Sequence, residues 1–125
     1  MRVLLDTSVL IAFLDSKDEH HDVASAALDS ESNTYEISVI TFMEILVWPA
    51  KKSAREVERV TSLVRKAVAA IHPVDEEIAT LAAMARGKSR TADALISATA
   101  SARGTGLWTL DQDLAKAHKG SRLLK

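Results

Sequence analysis

Short apolar segments alternate with amphipathic segments along this 125-residue chain. Arg2–Leu5 is apolar after its first residue, which is typical of a strand buried on both faces of a parallel sheet. Further strands are predicted at residues 35–38, 70–74, 107–110 and 122–124. Helices are predicted between them at residues 9–14, 20–28, 41–48, 55–67 and 112–117. Two more are predicted, one from Asp75 to a C-cap at Gly87 and one from a cap at Thr91 to a break at Gly104. This alternation predicts a three-layer α/β/α sandwich with a mostly parallel central sheet.

Several residues predict where these helices begin or end. Pro49 should end the helix over 41–48, because proline cannot donate a backbone hydrogen bond. Ser53 and Thr91 are expected to cap the two helices that follow them, since short hydroxyl side chains accept from free N–H groups.

Size and composition limit the class of protein. The length predicts a single domain over residues 1–125. The chain has no cysteine, which excludes disulfides and thiolate metal sites. Asp6 interrupts the first apolar stretch, so no signal peptide is expected, and the run Val9–Leu14 is too short to span a membrane. These features predict a cytoplasmic protein without membrane contact.

The net charge of −1 gives the chain no overall positive field of the kind that marks many nucleic-acid-binding proteins. Seven of its basic residues form two local clusters, which are expected to be solvated helix surface. They are Lys51, Lys52, Arg55 and Arg59 in the first cluster, and Arg86, Lys88 and Arg90 in the second.

Four acidic residues stand on or beside otherwise apolar segments: Asp6, Glu44, Asp93 and Asp111. Asp6 and Asp111 each follow a predicted strand, and parallel strands end at one edge of the sheet, where α/β proteins form their active sites. Asp93 falls in the first turn of a helix, where negative charge is favoured. Taken singly, Asp6 could be a helix cap, Asp93 a first-turn residue and Asp111 a turn residue. Together the four point to a divalent metal, because converging carboxylates are costly to bury without a cation.

Glu44 is the hardest of the four to explain structurally. Its neighbours from Ile40 to Trp48 are almost all apolar, so its helix is expected to be buried on much of its circumference. No basic residue nearby in the sequence is placed to pair with it, or with the other three acids. Trp48, at the end of this segment, is expected in the core or in an interface more often than against a nucleotide base.

Three sequence motifs contain Asp6, Asp93 and Asp111 and follow one another in a recognisable order. They are Val3-Leu4-Leu5-Asp6-Thr7-Ser8, Thr91-Ala92-Asp93-Ala94-Leu95-Ile96 and Leu107-Trp108-Thr109-Leu110-Asp111-Gln112-Asp113. With Glu44 between the first two, the chain resembles the PIN-domain ribonuclease family over essentially its full length. It resembles most the VapC-like toxins of VapBC type II toxin–antitoxin systems. Leu114 departs from the pattern, since the family usually has an aromatic residue there, and this bears on packing rather than on the acids.

The resemblance implies a Mg²⁺- or Mn²⁺-dependent endoribonuclease that leaves a 5′-phosphate and a 3′-hydroxyl. Asp6, Glu44, Asp93 and Asp111 would be its catalytic, metal-binding acids. Thr7, Ser8 and Thr109 match small hydroxyl positions that orient water or carboxylates, and Asp113 is either an accessory residue or a solvent-facing one.

The implied partners follow from the same resemblance. A toxin of this type would cleave RNA, inhibit translation and growth, and form a homodimer. A small antitoxin protein would cover an apolar groove of the early helices and send a basic side chain toward the acids.

Other classes of protein fit less well. A phosphatase with an aspartate after its first strand needs a second one two residues on, where this chain has Ser8. A phospho-accepting receiver domain needs an adjacent acidic pair near that strand and a lysine after a late strand, and both are absent. A housekeeping PIN nuclease without an antitoxin and a non-catalytic PIN-like binding module stay open as alternatives.

Overall fold

The structure, a computed structural model, describes residues 1–125 and contains five strands and seven helices. The strands are β1 (Arg2–Leu5), β2 (Thr34–Ser38), β3 (Ala70–His72), β4 (Gly106–Thr109) and β5 (Arg122–Leu123). The helices are α1 (Thr7–Leu14), α2 (His21–Leu28), α3 (Val39–Lys52), α4 (Ala54–Ala67), α5 (Glu76–Ala85), α6 (Thr91–Arg103) and α7 (Gln112–Ala117).

The strands form one sheet in the order β3-β2-β1-β4-β5, and every neighbouring pair is parallel. Alternate residues of β1 enter opposite cores, as the two-residue period of a strand requires. Val3 and Leu5 pack with apolar residues of α1 to α4, whereas Leu4 packs with α6 and α7. The other helix, α5, joins the second layer by packing on α6. The predicted three-layer α/β/α sandwich with a parallel central sheet is therefore confirmed.

The strand order creates a crevice at the carboxyl ends of β1 and β4. The chain proceeds from β1 outward through β2 and β3, and then returns to place β4 on the other side of β1. Loops after β1 and β4 thus leave the sheet toward opposite layers, and ligands of α/β proteins bind where they diverge. Asp6 and Asp111 follow these two strands, one residue after β1 and two residues after β4.

The prediction that Pro49 ends a helix is wrong. Helix α3 continues through Pro49 to Lys52, and its last backbone bond joins Ser53 N–H to the Pro49 carbonyl at 3.1 Å. Pro49 is buried, as are Thr41 and Ile45 on the same face, so packing of its ring offsets the hydrogen bond that proline cannot make. Ser53 caps α4 as predicted, accepting from Glu56 N–H at 3.1 Å.

Helix α3 is also less buried than its apolar sequence predicts. Val39, Met43 and Val47, spaced four residues apart, are 37%, 53% and 42% exposed, and Trp48 is 71% exposed. These four residues are called the α3 stripe below. Trp48 is therefore not a core residue, and the nearest cation to its ring is Lys51, with Nζ 4.9 Å from the ring centroid. None of the seven helices has the length and apolarity needed to cross a membrane.

A partly buried ion cluster links the first three strands on the side of α5 and α6. Glu36 of β2 is only 4% exposed, and its carboxylate accepts from Arg2 Nε at 2.7 Å and Nη2 at 2.8 Å. The ring of His72, at the end of β3, contacts the same carboxylate. The hydrogen bonds from Arg2 lower the pKa of Glu36 most, burial opposes them, and His72 lowers it further.

We expect Glu36→Gln to destabilise the protein by about 1–3 kcal/mol at neutral pH, because it leaves the Arg2 guanidinium without its ionised acceptor. Since the folded-state pKa of Glu36 is lowered, its ionised form stabilises the fold above the unfolded pKa. That stabilisation disappears as the pH falls through the folded-state value. Urea unfolding from pH 7 down to pH 3 should therefore show the parent and the variant converging at the acidic end. Glu31→Gln, which changes an exposed carboxylate, is the control and should match the parent throughout.

Candidate metal centre at the carboxyl edge of the sheet

Asp6 is the most buried of the predicted acids, with 4% of its surface exposed. One carboxylate oxygen, Oδ1, accepts from Ser8 Oγ at 2.6 Å and from Val9 N–H at 3.1 Å, while Oδ2 accepts from the Thr109 hydroxyl. Asp6 therefore caps α1, which is one of the structural roles considered for it. A carboxylate has about four acceptor positions, so these three bonds leave room for a further ligand.

The pKa of Asp6 is raised, and burial is the largest cause. The hydroxyls of Ser8 and Thr109 and the Val9 N–H oppose this rise, whereas the negative charge of Asp111 adds to it. Desolvation therefore contributes more to the raised pKa of Asp6 than repulsion between carboxylates does. Ionised Asp6 therefore lies in surroundings that favour a cation.

Asp111 is held beside Asp6 by hydroxyl groups. Its backbone N–H donates to Thr109 Oγ1 at 2.9 Å, and the same hydroxyl donates to Asp6. Ser8 Oγ adds a second link, because it accepts from Leu110 N–H at 3.3 Å while donating to Asp6. The loops after β1 and β4 are thus joined, and the two aspartates stay at one place on the sheet edge.

Asp111 uses its two oxygens differently. Oδ1 caps α7, accepting from Asp113 N–H at 2.8 Å and from Leu114 N–H at 3.4 Å. Oδ2 lies 3.9 Å from Nη2 of Arg90. The same guanidinium donates from Nε to Asp93 Oδ2 at 3.2 Å. One oxygen each of Asp93 and Asp111 therefore faces a single cation.

Glu44 reaches this group from α3. Its Oε1 accepts from Thr7 Oγ1 at 2.6 Å, and the Thr7 hydroxyl lies 3.1 Å from that of the buried Thr41. The pKa of Arg90 is raised, first by its hydrogen bond and attraction to Asp93 and also by the charges of Asp111 and Glu44. Glu44 therefore interacts electrostatically with the same guanidinium as Asp93 and Asp111. The four predicted acids lie in one region of the sheet edge.

Arg90 belongs to this group although the sequence does not predict it there, and one expectation about the acids is wrong. The sequence predicts no basic partner for the acids, whereas Arg90 contacts both Asp93 and Asp111; its side chain is nonetheless 80% exposed, in agreement with the predicted solvated surface. In addition, α6 is capped by Arg90 and not by Thr91, and Arg90 makes no side-chain capping bond. Arginine is unusual at a helix N-cap, where a cation opposes the helix dipole. The only sequence signal for this contact is the spacing of three residues between Arg90 and Asp93, which suits an ion pair on a helix.

The accessory residues differ in their contacts. Thr7, Ser8 and Thr109 each donate a hydroxyl hydrogen bond to one of the acids. Asp113 is exposed, and its carboxylate contacts none of the four acids, although its backbone N–H binds Asp111.

The donor set fits a hard divalent cation in its chemistry. All the candidate ligands are carboxylate oxygens, which suit Mg²⁺ and Mn²⁺ and not zinc. In their present arrangement no three His, Asp or Glu side chains are grouped tightly enough to hold an ion. Binding would therefore require side-chain rotations, and Arg90 currently lies between two of the would-be ligands.

Comparison with solved structures relates the fold to known proteins. A toxin–antitoxin complex from Klebsiella pneumoniae contains a chain 30% identical, with a TM-score of 0.72 and 90% of each chain covered. FitAcB from Neisseria gonorrhoeae is 24% identical, with a TM-score of 0.75 and 97% of this chain and 96% of that one covered. VapC20 of Mycobacterium tuberculosis, a sarcin-ricin loop cleaving toxin, is 15% identical, with a TM-score of 0.78 and 98% and 99% covered.

Comparison with curated protein sequences gave no match. The family model described as PIN domain matches residues 3–120, which include all but the first residue of β1, the strands β2 to β4 and all four acids. The sequence resemblance, the parallel sheet and this match agree, and the chain belongs to the PIN domain family.

Proposed function

We propose that this chain, acting as one PIN domain over residues 1–125, is a divalent-metal-dependent endoribonuclease. The observation that carries the proposal is the convergence of four acids at the carboxyl edge of a PIN fold. Thr109 joins Asp6 to Asp111, and Arg90 joins Asp111 to Asp93. Glu44 adds its charge to the same place.

The residues of the chain prepare this site for phosphodiester hydrolysis. Asp6, Glu44, Asp93 and Asp111 would hold one or two Mg²⁺ or Mn²⁺ ions, and the hydroxyls of Thr7, Ser8 and Thr109 fix the directions of two of these carboxylates. Bound divalent ions supply charge neutralisation at phosphorus and lower the pKa of an attacking water. Water adds to phosphorus, the bond from phosphorus to O3′ breaks, and O3′ takes up a proton. The products are a 5′-phosphate and a 3′-hydroxyl.

We further propose that the chain is the toxin of a type II toxin–antitoxin pair that inhibits translation and growth. Support comes from the chain of the Klebsiella pneumoniae toxin–antitoxin complex, which is 30% identical over 90% of this chain. The α3 stripe supports a protein partner, because four large apolar side chains on one helix are left exposed to solvent. An antitoxin, or a second copy of the chain in a homodimer, would cover this surface.

Incubation of the purified protein with total cellular RNA tests the nuclease proposal. We expect cleavage with Mg²⁺ or Mn²⁺, 5′-phosphate ends in the sequenced products, and loss of cleavage when EDTA is added. Full activity in EDTA, or no cleavage of any cellular RNA with either metal, would contradict it. In the second case a non-catalytic binding module would become the better reading of the fold.

A further inference from the structure

The acidic edge presents an electrostatic problem for a protein that binds RNA. Four carboxylates lie near one another, the whole chain carries a net charge of −1, and RNA brings one negative charge with every phosphate. One divalent ion neutralises only two of the four acids, and two ions neutralise all four but leave no net positive charge for a phosphate. A site of this kind needs an additional cation that can approach a phosphate, and the structure has one candidate in contact with the acids.

Arg90 occupies an exposed position at the mouth of this edge. Its side chain is 80% exposed, while those of Asp93 and Asp111 are 21% and 33% exposed. The guanidinium is therefore far more exposed to solvent than the two carboxylates that it contacts. An exposed ion pair of this kind is weak, so the arginine can be displaced at little cost.

The position of Arg90 in the fold has no evident stabilising role. It is the N-cap of α6 but makes no capping hydrogen bond, and its charge opposes the helix dipole. The chain reaches it through a turn in which Ser89 N–H binds the Arg86 carbonyl at 2.8 Å, after Gly87 at a φ of 51°. That left-handed φ favours glycine, so the turn places Arg90 at the acids by a specific backbone path.

We propose that Arg90 is a displaceable cation of this site, which holds Asp93 and Asp111 when no metal is bound and turns to an RNA phosphate when a divalent ion takes them. This inference rests on the proposed function. Guanidinium suits both positions, because its planar set of donors binds carboxylates and phosphates equally well. Arg90 is thus a competitor of the metal and a ligand of the substrate.

The competition is tested by measuring the affinity for Mn²⁺ in the absence of RNA. Electron paramagnetic resonance or calorimetry provides the measurement. We expect Arg90→Gln to bind Mn²⁺ about three- to tenfold more tightly than the parent, since the competing and repelling charge is gone. Arg90→Lys should lie between them, because an ammonium keeps the charge but lacks the fork that spans both carboxylates. Arg86→Gln removes an exposed arginine without an ion pair from the same turn, and it should match the parent.

The outcomes separate this inference from the proposed function. If the parent binds Mn²⁺ and Arg90→Gln binds it equally or more weakly, the role of Arg90 is wrong and the metal site stands. If neither protein binds Mn²⁺, both proposals fail. Circular dichroism spectra of the variants, which change only exposed side chains, should match that of the parent.

The phosphate contact is tested by the salt dependence of kcat/KM for RNA cleavage. Loss of one phosphate contact should make the slope of log kcat/KM against log salt concentration shallower by about 0.7 for a single strand. Arg90→Gln should show this change together with its tighter Mn²⁺ binding, a combination that a merely structural role would not produce. An unchanged slope would overturn the phosphate contact.

Discussion

Asp6→Asn should reduce RNA cleavage by roughly 10³-fold while leaving the protein folded. Losing a metal-binding carboxylate removes several kcal/mol of charge stabilisation in the transition state, and each 1.36 kcal/mol corresponds to a factor of ten in rate. Asparagine has the same shape, and its carbonyl can still accept from Ser8 and Val9. The Thr109 hydroxyl would have to rotate, because it now donates to the other carboxylate oxygen.

The stability of Asp6→Asn has a predicted sign. Since burial raises the pKa of Asp6, the protonated form favours the fold below the unfolded pKa, and this advantage is lost as the pH rises through the folded value. At neutral pH the ionised carboxylate therefore costs stability in the metal-free protein. Asp6→Asn should unfold in urea at the same concentration as the parent or a higher one.

The control for this comparison is Glu58→Gln, which removes an exposed carboxylate on α4 and should cleave RNA like the parent. If Asp6→Asn keeps cleavage within a few-fold of the parent, Asp6 is only the cap of α1. If it fails to fold, circular dichroism will show this, and the catalytic role of the edge then depends on Asp93→Asn measured in the same way.

The double variant Met43→Glu, Val47→Glu should lose protein-partner binding while retaining RNA cleavage. Both side chains belong to the α3 stripe, and burying two new carboxylates in an apolar interface should raise the Kd for the partner by at least about 100-fold. Expression of the parent alone should arrest growth, and co-expression with the product of the neighbouring gene should restore it. The double variant should arrest growth even with the partner present.

Met84→Glu is the matched control for the α3 stripe. Met84 is 80% exposed on α5, in the opposite helix layer, so its change should leave neutralisation by the partner intact. If the double variant is still neutralised and has become monomeric, the α3 stripe is the dimer surface. If the parent causes no arrest although it cleaves RNA in vitro, a housekeeping PIN nuclease becomes the better assignment.

Sequence patterns predict the fold of this chain well because its strands are short, apolar and separated by helices with clear ends. The run Val3-Leu4-Leu5 is typical of a buried strand, and parallel pairing then places Asp6 at the sheet edge. The predicted helix end at Pro49 is wrong because local helix propensity does not take account of how the proline ring packs in the folded protein. The exposure of the apolar side chains of α3 could not be predicted either. An apolar helix face has the same sequence pattern whether it packs on the core or binds a partner.

The candidate site is predicted in part, for a related reason. Its acids could be found because each is an anomaly among apolar neighbours, and Thr109 follows from its place at the end of a strand. Arg90 could not be found in this way, because a basic residue in a turn is usually solvated. Only the turn around Gly87 and the start of α6 bring its guanidinium to Asp93 and Asp111. The sequence gives charges, but the pairing of those charges depends on backbone geometry.

The most direct test of the central claim is a crystal structure of the protein soaked in Mn²⁺, with anomalous scattering recorded to locate the metal. The account predicts a peak within about 2.0–2.4 Å of oxygens from at least two of Asp6, Glu44, Asp93 and Asp111. Arg90 should then have turned away from Asp93 and Asp111. A crystal saturated with Mn²⁺ that shows no peak at the carboxyl ends of β1 and β4, or shows its strongest peak elsewhere, would contradict the account.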